Sequence, residues 1–311
     1  MSNKVELPIF MKSVFYEGLN RLTVKQVPIP EINEDEILIK IDCCSLCGSD
    51  LRIINSGSKR VIPPSILGHE ISGRVVKIGK NHEGQFEIEE RVCLGADIPC
   101  GKCFWCKSGI SNNCENTFAI GYEYSGGFSE YLKLSSRIIY FGPLVKIPNN
   151  SQVLQEEFAL TEPLACCINA FEFMGNVSGK KILIFGAGPI GVLLAKYAIM
   201  IGALSVNICD IERERLESAK IANADNYVLN SEDELDKLKK EVTSGEGFDC
   251  IITACPSIEA QRMAFNYIRN RGMINFFGGL PQNTGELSIP SNSIHYKELI
   301  VFGSHGSTPV Q

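Results

Sequence analysis

Four cysteines spaced Cys100-x2-Cys103-x2-Cys106-x7-Cys114 place four thiols within fifteen residues, and Gly101, Ser108 and Gly109 loosen the backbone around them. Four thiolates closing a tetrahedral shell, with no histidine and no open position, describe a structural zinc ion. An iron–sulfur cluster is the competing reading, and a second motif takes the redox role away from it. Gly186-Ala187-Gly188-Pro189-Ile190-Gly191 follows the apolar run KILIF and precedes a stretch of helical periodicity. Between a strand and a helix these glycines give a tight turn, a bare backbone for a pyrophosphate and close helix-to-strand packing, with phosphate charge at the helix N-terminus. Asp210 ends the next apolar run, 22 residues after Gly188. There its carboxylate accepts from adenosine ribose hydroxyls and repels a 2′-phosphate, which favours NAD over NADP. Arg213 and Arg215 follow at once: Arg215 either touches the cofactor and softens that preference, or shares a solvated helix face with Glu212 and Glu214.

The elements that must carry these motifs differ between the two halves of the chain. Up to about residue 150, short alternating β segments at 36–42, 73–78 and 128–134 are separated by Gly, Pro and polar turns. From Gly179 onward, apolar strands at 181–185, 205–209, 226–229, 249–253, 273–277 and 299–302 alternate with helix-length amphipathic segments. That alternation predicts a doubly wound parallel sheet with helices on both faces, an α/β fold. A helix is expected over 157–173, starting near Thr161-Glu162-Pro163, where proline suits a first turn.

Composition narrows the partners. The chain has 311 residues, a formal charge of −6 and 44% hydrophobic residues, ordinary values for a soluble protein of two domains. No basic stripe offers an electrostatic footprint for nucleic acid or an anionic membrane. The amino-terminal ten residues hold too short an apolar run for a secretory signal, and 182–204 divides into a strand and a helix rather than a membrane span. Thirteen cysteines then belong to a reducing compartment, the cytoplasm, and not to a disulfide framework.

Three further motifs, Cys47-Gly48-Ser49-Asp50, Gly68-His69-Glu70 within GHExxGxVxxxG (68–79), and Glu162-Pro163-Leu164-Ala165, complete a resemblance covering almost the whole chain. The sequence resembles the zinc-dependent medium-chain dehydrogenases, closest in motif to polyol (sorbitol-type), threonine and sugar-alcohol-phosphate dehydrogenases. The resemblance implies a mainly β GroES-like catalytic domain over residues 1–156 with the zinc lobe at about 93–116, a connecting helical region at 157–178, and a Rossmann NAD-binding domain over 179–311. It implies two zinc ions per chain. Cys47 and His69 are ligands of the catalytic one, and a carboxylate from Glu70 or Glu162 supplies the third, leaving a position open for a small-molecule substrate. Replacing thiolate by carboxylate hardens the ion and suits polyhydroxylated substrates. Asp50 holds the His69 ring. The remaining cysteines, Cys43, Cys44, Cys93, Cys166, Cys167, Cys209, Cys250 and Cys255, read as small buried residues.

The implied chemistry is hydride transfer from a secondary alcohol to NAD, with Ser49 as first proton acceptor. Many relatives continue the relay to a histidine three residues on; here that residue is Arg52, which cannot be a base. Arg52, with Lys59 and Arg60, either binds an anionic substrate such as a sugar-alcohol phosphate or is a solvated loop charge. Relatives also continue past the sixth strand into a helix and a return to the catalytic half, whereas this sequence stops at Gln311, so an inactive shortened paralogue is a third expectation. A short strand at 286–290 (ELSIP) matches one that pairs across a two-fold axis in relatives, which implies a homodimer or homotetramer.

Overall fold

The computed structural model describes residues 7–281 and 284–311. The first six residues, part of the segment read as no secretory signal, lie outside the described residues. The chain divides into two compact units, the residues up to Ala165 together with Gly306–Gln311, and Cys166–His305.

The first unit is built of short antiparallel strands. β1 (Phe10–Gly18) and β2 (Arg21–Pro28) form a hairpin, followed by β3 (Ile37–Ser45), helix α1 (Gly48–Ser56), β4 (Ser65–Ile66), β5 (Glu70–Ile78), β6 (Arg91–Leu94) and β7 (Asp97–Ile98). Helix α2 (Phe104–Lys107), β8 (Phe118–Ala119), β9 (Tyr131–Leu134), α3 (Ser136–Phe141), β10 (Leu144–Lys146) and α4 (Gln155–Ala159) complete it. The main sheet has the order β10-β6-β5-β3-β9. Its alternate residues Ile37, Ile39, Ile71, Val75, Val92, Leu94, Leu132 and Leu134 share one core with Ile98, Ile120 and Ile138, while Leu38, Val76 and Tyr131 of the same strands pack with Met11 in a second, smaller cluster. Pairing β3 with β5 sets Ser45 opposite Glu70, so the residues just beyond one strand meet the start of the other.

Helix α5 (Thr161–Met174) leads into the second unit, a six-stranded parallel sheet of β11 (Lys181–Phe185), β12 (Ser205–Asp210), β13 (Asn226–Leu229), β14 (Phe248–Thr253), β15 (Ile268–Phe276) and β16 (Ile300–Gly303). The intervening helices are α6 (Pro189–Met200), α7 (Arg213–Ala219), α8 (Glu232–Thr243), α9 (Ile258–Tyr267) and α10 (Ser291–Lys297). The strand order β13-β12-β11-β14-β15-β16 is the doubly wound arrangement expected from the alternation of apolar runs and helices. Ile182 and Ile184 of β11 pack with Leu194, Ala195 and Ala198 of α6 on one face, while Leu183 and Phe185 pack with Leu235 of α8 and Phe265 of α9 on the other. Burial on both faces explains why these strands read as continuous apolar runs.

Two expectations are corrected. The helix over 157–173 is two helices, α4 and α5, broken at Leu160. Pro163 has no amide to donate to the carbonyl of Ala159, so the ladder cannot run through. Residues 286–290, expected as a strand, are irregular and pair with no other segment among the described residues. Residues 182–204 are β11 and α6, and no helix among the described residues is long and apolar enough to cross a membrane.

Candidate active site

Cys47 is the N-cap of α1, and Ser49, Asp50 and Arg52 occupy its first turns. Asp50 is fully buried. Its Oδ2 accepts the Cys47 amide at 3.0 Å and its Oδ1 accepts the Gly68 amide at 3.3 Å, so one carboxylate ties the start of α1 to the residue before His69. Gly68 has φ of +91°, and a Cβ there would lie 2.8 Å from Cys44 Sγ and from the Phe128 ring, so glycine alone makes this turn into β5.

Beyond the turn His69 and Glu70 are buried, 4% and 5% exposed. A ligand atom from each of Cys47, His69 and Glu70 lies within 4.8 Å of the other two. His69 Nδ1 is buried without a hydrogen bond, 3.5 Å from Asp50 Oδ1, and Nε2 is 3.4 Å from Ser49 Oγ. Burial by itself would lower the His69 pKa. Asp50, Cys47 and the charge of Glu162 outweigh it and raise the value to about 12. Glu70 is raised as well, chiefly because burial penalises its charge. A thiol, an imidazole and a carboxylate thus converge in a field that attracts a cation, and three protein donors of this mixed softness fit a zinc ion that keeps a position open. Glu70 is one of the three converging donors, and Glu162, in the first turn of α5, lies near enough for its charge to raise His69.

The cysteine lobe holds Cys100, Cys103, Cys106 and Cys114 with all four sulfurs within 4.8 Å of one another. Measured Sγ–Sγ separations are 3.5 Å (Cys103–Cys106), 3.8 Å (Cys103–Cys114) and 3.9 Å (Cys100–Cys106). A tetrahedron with Zn–S bonds of about 2.3 Å has edges of about 3.8 Å, so the four thiols fit one closed zinc shell. Amides of Lys102 and Cys103 lower Cys100 to about 6, whereas burial and then Cys103 raise Cys106 to about 12. Arg137 closes the lobe: it donates to the carbonyls of Ile98 and Pro99 at 3.2 Å each and to that of Asn116, with its guanidinium 4.5 Å from the Phe118 ring centroid.

In the second unit β11 runs into Gly186 (φ +112°), Gly188 caps α6, and Pro189 is its first residue. A Cβ on Gly191 would stand 1.9 Å from the Gly186 carbonyl oxygen, whereas one on Gly188 would meet nothing within 4 Å. The turn is closed where helix meets strand and open where a pyrophosphate would lie against bare backbone, with Ile190 just inside the helix, so the residues present fit a dinucleotide. Asp210 is buried, and its oxygens accept the amides of Ala187 at 2.8 Å and Glu212 at 3.0 Å. It therefore fixes the glycine turn while each oxygen keeps a second lone pair for a ribose hydroxyl. Arg215 pairs with Glu212 at 3.1 Å and Arg213 approaches Glu234 at 4.0 Å, both on the exposed surface.

Arg60 is likewise engaged, in a two-pronged ion pair with Glu123 at 2.7 and 2.9 Å, whereas exposed Arg52 and Lys59 make no ion pair among the described residues. Sequence reasoning missed Tyr122, whose ring lies against that of His69 at a centroid distance of 5.8 Å. No spacing rule could have found a contact between two loops far apart in the chain.

Residues 33–148 match the alcohol dehydrogenase GroES-like domain family, and residues 189–311 match the zinc-binding dehydrogenase family. The chain is 33% identical over 296 residues to a sorbitol dehydrogenase of Bombyx mori, covering 92% of this chain and 81% of that protein. Among solved structures, galactitol-1-phosphate dehydrogenase from Escherichia coli is similar with a TM-score of 0.85 at 28% identity, over 96% of this chain and 84% of the other. A zinc-binding dehydrogenase of Sinorhizobium meliloti bound to NADP has a TM-score of 0.86 at 28% identity, over 96% of this chain and 85% of the other.

Proposed function

Because this chain belongs to the zinc-type medium-chain alcohol dehydrogenase family, we propose that it oxidises a secondary alcohol of a polyol or sugar, using NAD. The chain is a zinc- and nicotinamide-dependent dehydrogenase acting on CH–OH. The observation that carries the proposal is the convergence of Cys47, His69 and Glu70, two of them buried, with Glu162 acting on His69. A carboxylate in that donor set hardens the ion toward substrates that present two oxygens. When bound, zinc lowers the pKa of a substrate hydroxyl and NAD accepts the hydride from the adjoining carbon.

The chain's own residues do the rest. Cys47, His69 and Glu70 hold the catalytic metal, Glu162 adds negative charge beside it, and Asp50 fixes the first two donors together through the Cys47 and Gly68 amides. Ser49 Oγ, 3.4 Å from His69 Nε2, accepts the proton that leaves the substrate as its own hydroxyl proton passes to water. Cys100, Cys103, Cys106 and Cys114 hold the second zinc. Gly186, Gly188 and Gly191 seat the pyrophosphate and Asp210 the adenosine ribose, and the cations next to Asp210 in the chain, Arg213 and Arg215, lie toward Glu234 and Glu212. Thirteen thiols without a disulfide suit the cytoplasm, and a dimer or tetramer belongs to the same proposal.

A zinc count on the purified chain, coupled to NAD reduction against polyols, sugars, threonine and their phosphates, tests the reading. Two zinc ions per chain and NADH formed on a polyol or sugar are expected; one zinc and no turnover would overturn the proposal in favour of an inactive relative. A second reading, a phosphorylated sugar alcohol as substrate, is favoured by Arg52, exposed and one helical turn from Ser49. It predicts that Arg52→Ala raises KM for phosphorylated substrates alone.

A further inference from the structure

His69 Nδ1 lies 3.5 Å from Asp50 Oδ1, and the His69 ring packs on that of Tyr122 in a tilted arrangement, with centroids 5.8 Å apart and planes at 48°. That separation is within the range over which aromatic pairs attract. The loop carrying Tyr122 is bonded directly to the segment carrying His69: the Gly126 amide donates to Ile66 O at 2.8 Å, Gly127 to Gly68 O at 2.8 Å and Phe128 to Leu67 O at 2.9 Å. Tyr122 also packs on the apolar group of Tyr16, Ile53, Val61 and Leu67. A third segment also contacts the Tyr122 ring. The Arg60 guanidinium lies 4.8 Å from the Tyr122 centroid and grips Glu123 with both prongs, while Glu123 Oε2 also accepts the Ala119 amide at 2.9 Å.

We propose that Tyr122 is a positioning residue that sets the orientation of the His69 imidazole, and that the Arg60–Glu123 pair acts by holding Tyr122. The proposal rests on the reading of Cys47, His69 and Glu70 as a metal site. A ligand ring held in its coordinating orientation binds a metal more tightly than one that must be ordered on binding, and groups that orient such rings govern affinity by about 10–100-fold. The Arg60 fork is filled by a carboxylate of its own chain, so its role is to hold a neighbour rather than to receive an anion.

The test titrates the full chain, with its four-cysteine site already loaded, with cobalt(II) or zinc against a competing chelator. Occupancy of the second site is read from the visible absorption of cobalt, and thermal unfolding and the first metal serve as controls for folding. Tyr122→Leu, which keeps the apolar packing and removes the aromatic face, is expected to weaken the second site about tenfold. Tyr122→Phe is expected to stay within about twofold of wild type, because the ring remains. Arg60→Met is expected to cost about threefold in the wild-type background and nothing in Tyr122→Leu, because it acts through the ring. Unchanged affinity in Tyr122→Leu, or an equal Arg60→Met effect in both backgrounds, overturns the proposal. Cys47→Ala separates the underlying reading: if it removes the second metal the site stands and the Tyr122 variants decide, and if the wild type holds one metal that Cys47→Ala does not affect, site and proposal fall together.

Discussion

The two glycines at the mouth of α6 predict opposite defects when each is replaced by alanine. In Gly191→Ala the new methyl stands 1.9 Å from the Gly186 carbonyl oxygen and 3.0 Å from its carbon, both backbone atoms of a turn fixed by the 2.7 Å bond from the Gly186 amide to Cys209 O. Neither can swing away like a side chain, so α6 must lift off β11, at the upper end of overpacking costs, about 3 kcal/mol. For a unit of this size that corresponds to a fall in Tm of about 6–12 °C. In Gly188→Ala the methyl meets nothing within 4 Å and φ is −74°, accessible to alanine. The fold keeps its stability to within about 1 kcal/mol, the N-cap preference. The methyl does occupy the space a pyrophosphate needs, and losing one charge-assisted bond from the bare backbone weakens NAD binding about 10–150-fold. Differential scanning calorimetry and calorimetric titration with NAD on both variants give the two numbers. A Gly188→Ala chain that binds NAD like the wild type would refute the assignment of the turn to the pyrophosphate, and an unchanged Tm in Gly191→Ala would refute the packing argument.

Removing the Asp210 carboxylate (Asp210→Ala) strands the Ala187 and Glu212 amides, so KM for NAD should rise at least about tenfold and the NADP-to-NAD ratio of kcat/KM should also rise. Steady-state kinetics with both coenzymes check this. Arg137→Ala deletes three carbonyl contacts at the two ends of the cysteine lobe and should cost about 1–3 kcal/mol, seen as a lower Tm together with faster zinc release to a chromogenic chelator. The Glu123 carboxyl is pushed up by burial but held below its ordinary 4.5 by Arg60 and the Ala119 amide. A folded value below the unfolded one makes the pair stabilising above about pH 4.5, and that stabilisation is lost as pH falls through the folded value. The Tm difference between wild type and Glu123→Gln should therefore narrow steadily below pH 4.5 in a buffer series.

Where a signal is local in the chain, it was legible. The run at 181–185 coincides with β11, because a strand covered on both faces must be apolar throughout and Gly186 follows where the chain turns, and the run at 226–229 coincides with the edge strand β13. The four-cysteine spacing needed only fifteen residues to close on one centre. Signals failed where one residue acts on another far away. Apolar periodicity runs evenly through 157–173 and cannot register that Pro163 leaves the Ala159 carbonyl without a donor. β15 starts at Ile268 rather than 273 because a register shift against β14 admits the polar residues Arg269, Asn270 and Arg271, which alternation rules exclude. At the candidate site, Cys47, His69 and Glu70 share no spacing rule. They meet because β3 pairs with β5 and because Asp50, read only as a partner for the His69 ring, also binds the Gly68 amide. Arg60, Glu123 and Tyr122 come together through loop contacts alone, which no pattern in the chain announces.

Those loop contacts also bear on the choice of substrate. The phosphorylated reading drew on three cations, Arg52, Lys59 and Arg60, and the structure gives the Arg60 fork to Glu123. Arg52 and Lys59 remain, both exposed. An exposed ion pair contributes about 0.2–1 kcal/mol, so each adds at most about fivefold to the affinity for a phosphate, and less at high salt. A site that selects phosphorylated substrates strongly needs a cation desolvated against the phosphate, as a buried bidentate arginine is. The buried charged groups beside His69 are instead carboxylates, Asp50 and Glu70, and no arginine or lysine is buried among the described residues. Negative charge there opposes a phosphate and leaves an uncharged hydroxyl group unopposed. These charges therefore favour the proposed uncharged polyol or sugar over its phosphate ester, and a KM advantage of a phosphate ester beyond about thirtyfold would show that this ordering of the cations is wrong.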